Sequence, residues 1–291
     1  MQEAGRGLLH SSPMDRSELY RRIAAGPNGG DVVIPTHAEL GLRIRRTLDD
    51  PNCSVDQAAK LVQADPFLAA RVVAVANSVA YNPGGREIAD VRQAVARLGF
   101  RTLRTLAMSL LVKQLSGEPA NPVHRELAQG LWEHTVHVAA LCHVIARRVT
   151  HQDPEAALFA GILHEVAGFY LIARAKEMPE LLEGDLADWQ GEGEKTVGAA
   201  LLKALEVPEA VVQAIDDLWE GYLAIPSTSL GDTLLLAEEL APVASPLYWS
   251  PGAESADTGL PRIDMVLDSS MLSEVLAESA GEVQSLISAL K

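Results

Sequence analysis

Two neighbouring stretches, 131–149 and 155–173, are apolar nearly all the way round a helix. A helix with no solvated face has to lie in the middle of a bundle, so the rest of the chain must supply helices to cover these two. Any polar side chain they carry must find a partner in the interior. His134, His137, His143, His164 and Glu165 are those side chains, and they are the first place to look for chemistry.

The remaining sequence supplies the covering helices. Ser54-Val55-Asp56-Gln57 has the pattern of a capping box, and Asp65-Pro66 and Asp153-Pro154 each set a side-chain acceptor before a proline at the first helical position. Val207-Pro208-Glu209 resembles them but lacks the capping oxygen. After Pro66, the residues Leu68, Val72, Val75 and Val79 follow helical spacing, and 102–115, 197–206, 209–219 and 229–240 read the same way. Val32-Val33-Ile34 is too short for a strand and is closed by Pro35. The fold class is all-α: a two-part helical bundle.

Joints are expected at Gly26-Pro27-Asn28-Gly29-Gly30 after a short amphipathic helix (about 15–25), at Ser116–Pro122 between two helical halves, and from Pro242 to Pro261. There is no internal repeat. A 291-residue chain with 48% hydrophobic residues buries a sizeable core. Cys53 and Cys142, both in apolar stretches, read as small core residues of a reducing compartment. No signal-peptide core precedes Pro13, and no run of the ~20 uncharged apolar residues that span a bilayer is expected. Together these predict a cytoplasmic protein with no membrane contact.

Charge is lopsided. The chain has 24 basic and 39 acidic residues, net −15, and Asp216–Lys291 alone holds 13 acidic residues against Arg262 and Lys291. Such a surface repels a phosphate backbone, so direct nucleic-acid binding is not expected, although a small anionic ligand is not excluded.

Leu163-His164-Glu165, His134 on the preceding apolar helix, and Glu238 and Glu239 on a late helix form a possible long-range cluster. Imidazoles and carboxylates from separate helices can hold a divalent ion. On one continuous helix His164 and Glu165 would point about 100° apart, so an ion would have to sit between their directions. The other reading has His134 and His164 as neutral core histidines bonded to each other, to a carboxylate or to a carbonyl, and spacing alone favours it. Between Arg86 and Arg104 five arginines face only Glu87 and Asp90. Arg97, Arg101 and Arg104 would share a face of an unbroken helix and could grip an oxyanion. Gly99 is expected to interrupt that helix, which makes a solvated face with local ion pairs the preferred reading. Asn77 and Ser78 read as helix-end groups, Asp65 as a cap, and Trp132, Trp219 and Trp249 as core or interface anchors. The tail 262–291, with Met265, Leu267, Met271, Leu272, Val275 and Leu276 among acids, is amphipathic and is expected to fold back on its own bundle.

Several motifs in order now carry a resemblance. Ile34-Pro35, Leu48-Asp49-Asp50-Pro51, Asp65-Pro66-Phe67-Leu68-Ala69-Ala70-Arg71, Ala76-Asn77-Ser78 and Ala94-Val95-Ala96-Arg97-Leu98-Gly99 resemble the HDOD domain, a bacterial signalling module. Leu131-Trp132-Glu133-His134 and Ala160-Gly161-Ile162-Leu163-His164-Glu165 resemble its HD-type half. The likeness covers about 34–226, leaving 1–30 as an accessory helix and linker and 227–291 as a C-terminal extension with an acidic tail.

The related HD phosphohydrolases coordinate metal through a His, a His-Asp pair and a later Asp. Carried over, these positions are His134, His164 with Glu165, and Glu238, so both aspartates are glutamates here. The further histidines of the cyclic-dinucleotide phosphodiesterases are missing around Asp216-Asp217-Leu218-Trp219, and Gly221-Tyr222 is followed by Leu223 where their signature has proline. Losing ligands from a dinuclear centre removes its activated water. The resemblance thus implies a non-catalytic output or adaptor module that acts through contacts with signalling proteins, with self-association possible and no cofactor or metal expected. The rival expectation is a metal-dependent phosphohydrolase with an altered HD site; a third is a nucleotide receptor using the arginine cluster.

Overall fold

The computed structural model describes residues 16–26, 32–34, 39–183, 186–224, 226–248 and 269–291. Among them every regular element is helical. The first half comprises α1 (Arg16–Ala25), α2 (Glu39–Leu48), α3 (Val55–Gln63), α4 (Pro66–Asn77) and α5 (Val91–Leu115). The second comprises α6 (Pro122–Ile145), α7 (Pro154–Leu163), α8 (Val166–Arg174), α9 (Glu194–Ala204), α10 (Glu209–Glu220) and α11 (Leu230–Glu239), and α12 (Ser269–Leu290) follows. The Gly26–Gly30 joint beyond Gly26, Pro35, Trp249, most of the Pro242–Pro261 joint, Met265, Leu267 and the side chains of Met271 and Leu272 lie outside the described residues.

Local chemistry starts the helices where the caps fall. Ser54 and Gln57 form the reciprocal capping box of α3. Asp65 accepts from Leu68 N at 2.7 Å to open α4, and Asp153 accepts from Glu155 N at 3.0 Å to open α7. Pro208 opens α10 without a side-chain cap.

Three boundaries differ from the hydrophobic pattern. α6 begins at Pro122 rather than near 131, because Asn121 caps it and its solvated first turns carry no apolar stripe (Val123 is 67% exposed). It ends in a π-helical turn, Ala146–Thr150, closed by His151 in the left-handed region. The 155–173 stretch is two helices: His164 ends α7, and Glu165, at φ −100° and ψ 16°, leaves helical geometry before α8. The run Pro154–Arg174 is long and apolar enough to cross a bilayer by composition, contrary to the expectation, but 83% of its most apolar window is buried within the bundle.

α5 is broken at Gly99 (φ 73°, ψ 173°), as its glycine suggested. That backbone region is open essentially only to glycine. The two central helices, α6 and α7, pack together extensively, and Gly161 makes their approach possible. A Cβ there would lie 2.5 Å from Ala139 Cα, a backbone atom that cannot swing aside.

The tail folds back as expected. α12 packs on both α6 and α4, burying Leu286, Ile287 and Leu290. Its polar anchors include Glu282, gripped by Arg147 at 2.5 Å and Arg148 at 3.3 Å, and Ser285 Oγ, which accepts from Val79 N at 3.1 Å.

Gly161→Val is expected to lower unfolding free energy by about 1–3 kcal/mol through overpacking. Gly99→Ala should cost about 1–3 kcal/mol through backbone strain. Urea denaturation with an unchanged m-value checks both; a neutral Gly161→Val would contradict the close α6–α7 approach.

Candidate functional site

The broken α7–α8 junction, α6 and α11 bring four side chains together: His134, His164, Glu165 and Glu238. The break resolves the angular problem of adjacent ligands, since Glu165 is no longer on the helix that carries His164. His134 is 0%, Glu165 1% and His164 3% exposed, while the Glu238 side chain keeps 24% exposure and gives the cluster its edge toward solvent.

The imidazole hydrogens follow from the acceptors. His134 Nδ1 lies 2.7 Å from Val243 O and His164 Nδ1 2.7 Å from Gly161 O. A carbonyl only accepts, so both Nδ1 atoms carry hydrogen and, in the neutral rings, both Nε2 atoms carry lone pairs. Those Nε2 atoms face each other at 3.1 Å. Two lone pairs at that distance need a proton or a cation between them. Glu238 Oε2 stands 3.2 Å from His134 Nε2 and 3.4 Å from His164 Nε2, and Glu165 Oε1 is 3.8 Å from His134 Nε2.

The electrostatics divide the two histidines. Burial pulls the His134 pKa down, but the neighbouring Glu238 and Glu165 outweigh it and push it up to about 9. Burial lowers His164, with the His134 charge adding to it against Glu238, to about 4. Burial raises Glu165 to about 7 against the pull of His134. The Glu238 carboxyl is held below its ordinary value: burial opposes this, and His134 and His164 prevail.

Sequence reasoning missed Glu194. It lies 3% exposed at the start of α9, with the Tyr248 hydroxyl donating to its carboxylate. Burial and the Glu165 carboxyl push it up to about 8. It sits in the charged run Glu192-Gly193-Glu194-Lys195, which reads as solvated surface, and Tyr248 falls in a joint with no periodic pattern. Val243, whose carbonyl fixes His134, is equally invisible.

The other polar residues of the central helices serve elsewhere. His137 bonds its own helix at Glu133 O, and Glu239 is exposed. His143 lies 3.8 Å from Glu155 and 3.9 Å from Glu282. Glu155 in turn accepts from Tyr81 at 2.6 Å and Thr102 at 2.7 Å, a buried knot between α5, α6, α7 and α12.

The arginines do not converge. Arg97 donates to Ala76 O at 3.1 Å, Arg101 pairs with Asp153, and Arg104 donates to Leu48 O at 2.7 Å and lies 2.6 Å from Asp49. They form a face of local pairs. Ser78 satisfies Val75 O, whereas Asn77 bridges both backbone groups of Ile88. Trp132 is buried, and Trp219 packs on Gly198.

The donor set fits one divalent transition ion. His134, His164 and Glu165 offer ligand atoms within 4.8 Å of one another, the imidazoles are oriented by carbonyls behind them, and neither Glu165 oxygen has a hydrogen-bond partner. A second ion has no matching set among the described residues.

In chelator-treated protein the sign of the pH effect is fixed. His134, Glu165 and Glu194 have folded pKa values above their unfolded ones, so their contribution is present below the unfolded values and lost as pH rises through about 9, 7 and 8. His164 acts oppositely: its contribution is present above 6.5 and lost as pH falls through about 4. The urea midpoint of metal-free protein should therefore fall between about pH 6.5 and 9, and His134→Gln should flatten the upper part of that fall. An unchanged slope in the variant would show that His134 holds no extra proton.

Comparison with known proteins agrees with this architecture. The HDOD domain model matches residues 34–220. No protein of curated function matches the chain. A solved structure of a candidate metal-dependent phosphohydrolase from Shewanella amazonensis is 20% identical with a TM-score of 0.69, covering 89% of this chain and 93% of that one. An HDOD domain protein of unknown function from Geobacter sulfurreducens is 23% identical with a TM-score of 0.59, covering 94% and 99%. A candidate signal transduction protein from Marinobacter aquaeolei is 22% identical with a TM-score of 0.56, covering 89% of this chain and 59% of that one. These likenesses show the fold. With its motifs in order and the family's model matched over 34–220, the chain belongs to the HDOD domain family.

Proposed function

We propose that this protein is a regulatory module of bacterial signal transduction that works through contacts with other signalling proteins and does not hydrolyse phosphoesters. The observation that carries this reading is the closure of the His134–His164–Glu165 centre. A hydrolytic centre needs an open coordination position and room for the phosphoryl group beside it. Here the three groups are at most 3% exposed, only the neighbouring Glu238 keeps an edge toward solvent, and the segment from Val243 to Tyr248 packs beside them. Val243 O is bonded to His134, Leu247 is fully buried against Gly168 beside Glu165, and Tyr248 is tied to Glu194.

A divalent ion held by His134, His164, Glu165 and Glu238 would polarise water if the site were open. In the closed arrangement these residues join α6, the α7–α8 junction and α11, and the bound charge would stabilise the second half of the bundle.

The competing reading, a metal-dependent phosphohydrolase, rests on the convergence of four metal-capable side chains and on the fold of the Shewanella relative. Elemental analysis and turnover assays with Mn²⁺ on nucleotides, cyclic dinucleotides and an aryl phosphodiester separate the two. The expected result is no turnover at any metal loading. Turnover that disappears in His164→Ala, with helicity unchanged, would establish the enzyme instead.

A further inference from the structure

The last helix, α12, lies in a seat formed by α4 and α6. Leu286, Ile287 and Leu290 supply its buried apolar contact. Cations close the seat at both ends. Arg147 and Arg148 grip Glu282 at one end, and at the other Arg71 and Lys113 donate at 3.2 and 3.0 Å to a carboxyl oxygen of Lys291. Positions 282 and 291 of a helix lie roughly 13–14 Å apart along its axis. The seat therefore reads a pattern: a carboxylate at one end, aliphatic side chains at the spacing of 286, 287 and 290, and a second negative group at the other end.

The present occupant matches that pattern but is weakened within it. Ser279 is fully buried, yet its hydroxyl has no hydrogen-bond partner among the described residues, and neither has His143 Nδ1, 3.9 Å from Glu282 Oε1. Glu282 is 6% exposed, and a carboxylate buried that far gives up its hydration, which its arginines offset rather than exceed. Gly281 lies inside the helix with nothing within 4 Å of where a Cβ would stand. No close approach requires glycine there, and it weakens the helix relative to alanine.

We propose that α12 holds the place of an acidic amphipathic helix of a partner protein, which docks between α4 and α6 by displacing it. The partner's helix repeats what α12 presents: a carboxylate for Arg147 and Arg148, aliphatic side chains over the seam, and a negative group for Arg71 and Lys113. The inference rests on the regulatory reading above and gives it a surface, the seam between the two halves of the bundle.

Fluorescence anisotropy with the full chain tests this, using three labelled peptides: residues 269–291, an unrelated helical sequence with the same spacing of carboxylates and aliphatics, and that sequence scrambled. The first two should bind saturably and compete with each other; the scrambled one should not bind. Apparent affinity follows the fraction of chains whose seat is open. Leu290→Asp in the chain, which loosens α12, should tighten peptide binding about tenfold or more, and Ser279→Ala with Gly281→Ala, which seat it better, should weaken it about fivefold or more. Glu282→Lys in the peptide should weaken binding to the wild-type chain about tenfold, and Arg147→Glu with Arg148→Glu in the chain should reverse that preference. No saturable binding to the Leu290→Asp chain by about 100 μM peptide, or an affinity that the Ser279→Ala, Gly281→Ala chain leaves within about twofold, would overturn the proposal. So would a concentration-dependent dimer of the unliganded wild-type chain, which would make a second copy's α12 the occupant. Turnover in the phosphoester assays would sink the regulatory reading and leave these affinities untouched.

Discussion

The second half of the molecule is organised by a pair of imidazoles that cannot turn away from each other. Backbone carbonyls at Val243 and Gly161 take both Nδ1 hydrogens, so the Nε2 atoms meet at 3.1 Å with nothing but a proton or a cation able to reconcile them. Glu238 supplies the counter-charge from a third helix. Fixing the tautomers thus dictates that positive charge resides in the centre of the bundle, and the ring of carboxylates around it is the consequence. Removing one member of such a set leaves its partners buried and uncompensated, which is far more costly than never having had them.

The α7–α8 break serves the same centre: it takes the Glu165 backbone out of the helix that His164 ends, so two neighbouring residues can both present ligand atoms to one point. Beside the cluster the Val243–Tyr248 segment is bonded to His134 at one end and to Glu194 at the other, and Glu238 is the member that keeps an edge toward solvent.

Much of this was legible in the sequence, and the exceptions have physical reasons. The all-round apolar helices announced the buried centre, the Ser54, Asp65 and Asp153 caps marked the helix starts where they occur, and the likeness of separate motifs carried His134, His164, Glu165 and Glu238 to positions that the fold brings together. Periodicity failed at Pro122, where a solvated first turn has no stripe to detect, and at His164–Glu165, where burial on both sides of the break hides the change of direction. Glu194 was hidden because charge in sequence reads as surface; only the tertiary position of Tyr248 and Glu165 reveals it as interior. The arginine run taught the converse: charge density along the chain dissolved into separate pairings with Leu48, Asp49, Ala76 and Asp153 once its neighbours from α2, α4 and α7 were in place.

The seating of α12 has a consequence for how the chain matures. Its bonds to Arg71 and Lys113 join residues 220 and 178 positions apart, among the most distant pairings in the molecule. Closing loops of that length carries an entropic cost that must be met before any contact rewards it. Until α12 has been made and seated, the surfaces of α4 and α6 that Leu286, Ile287 and Leu290 cover therefore face water, so this side of the bundle is the one that closes late.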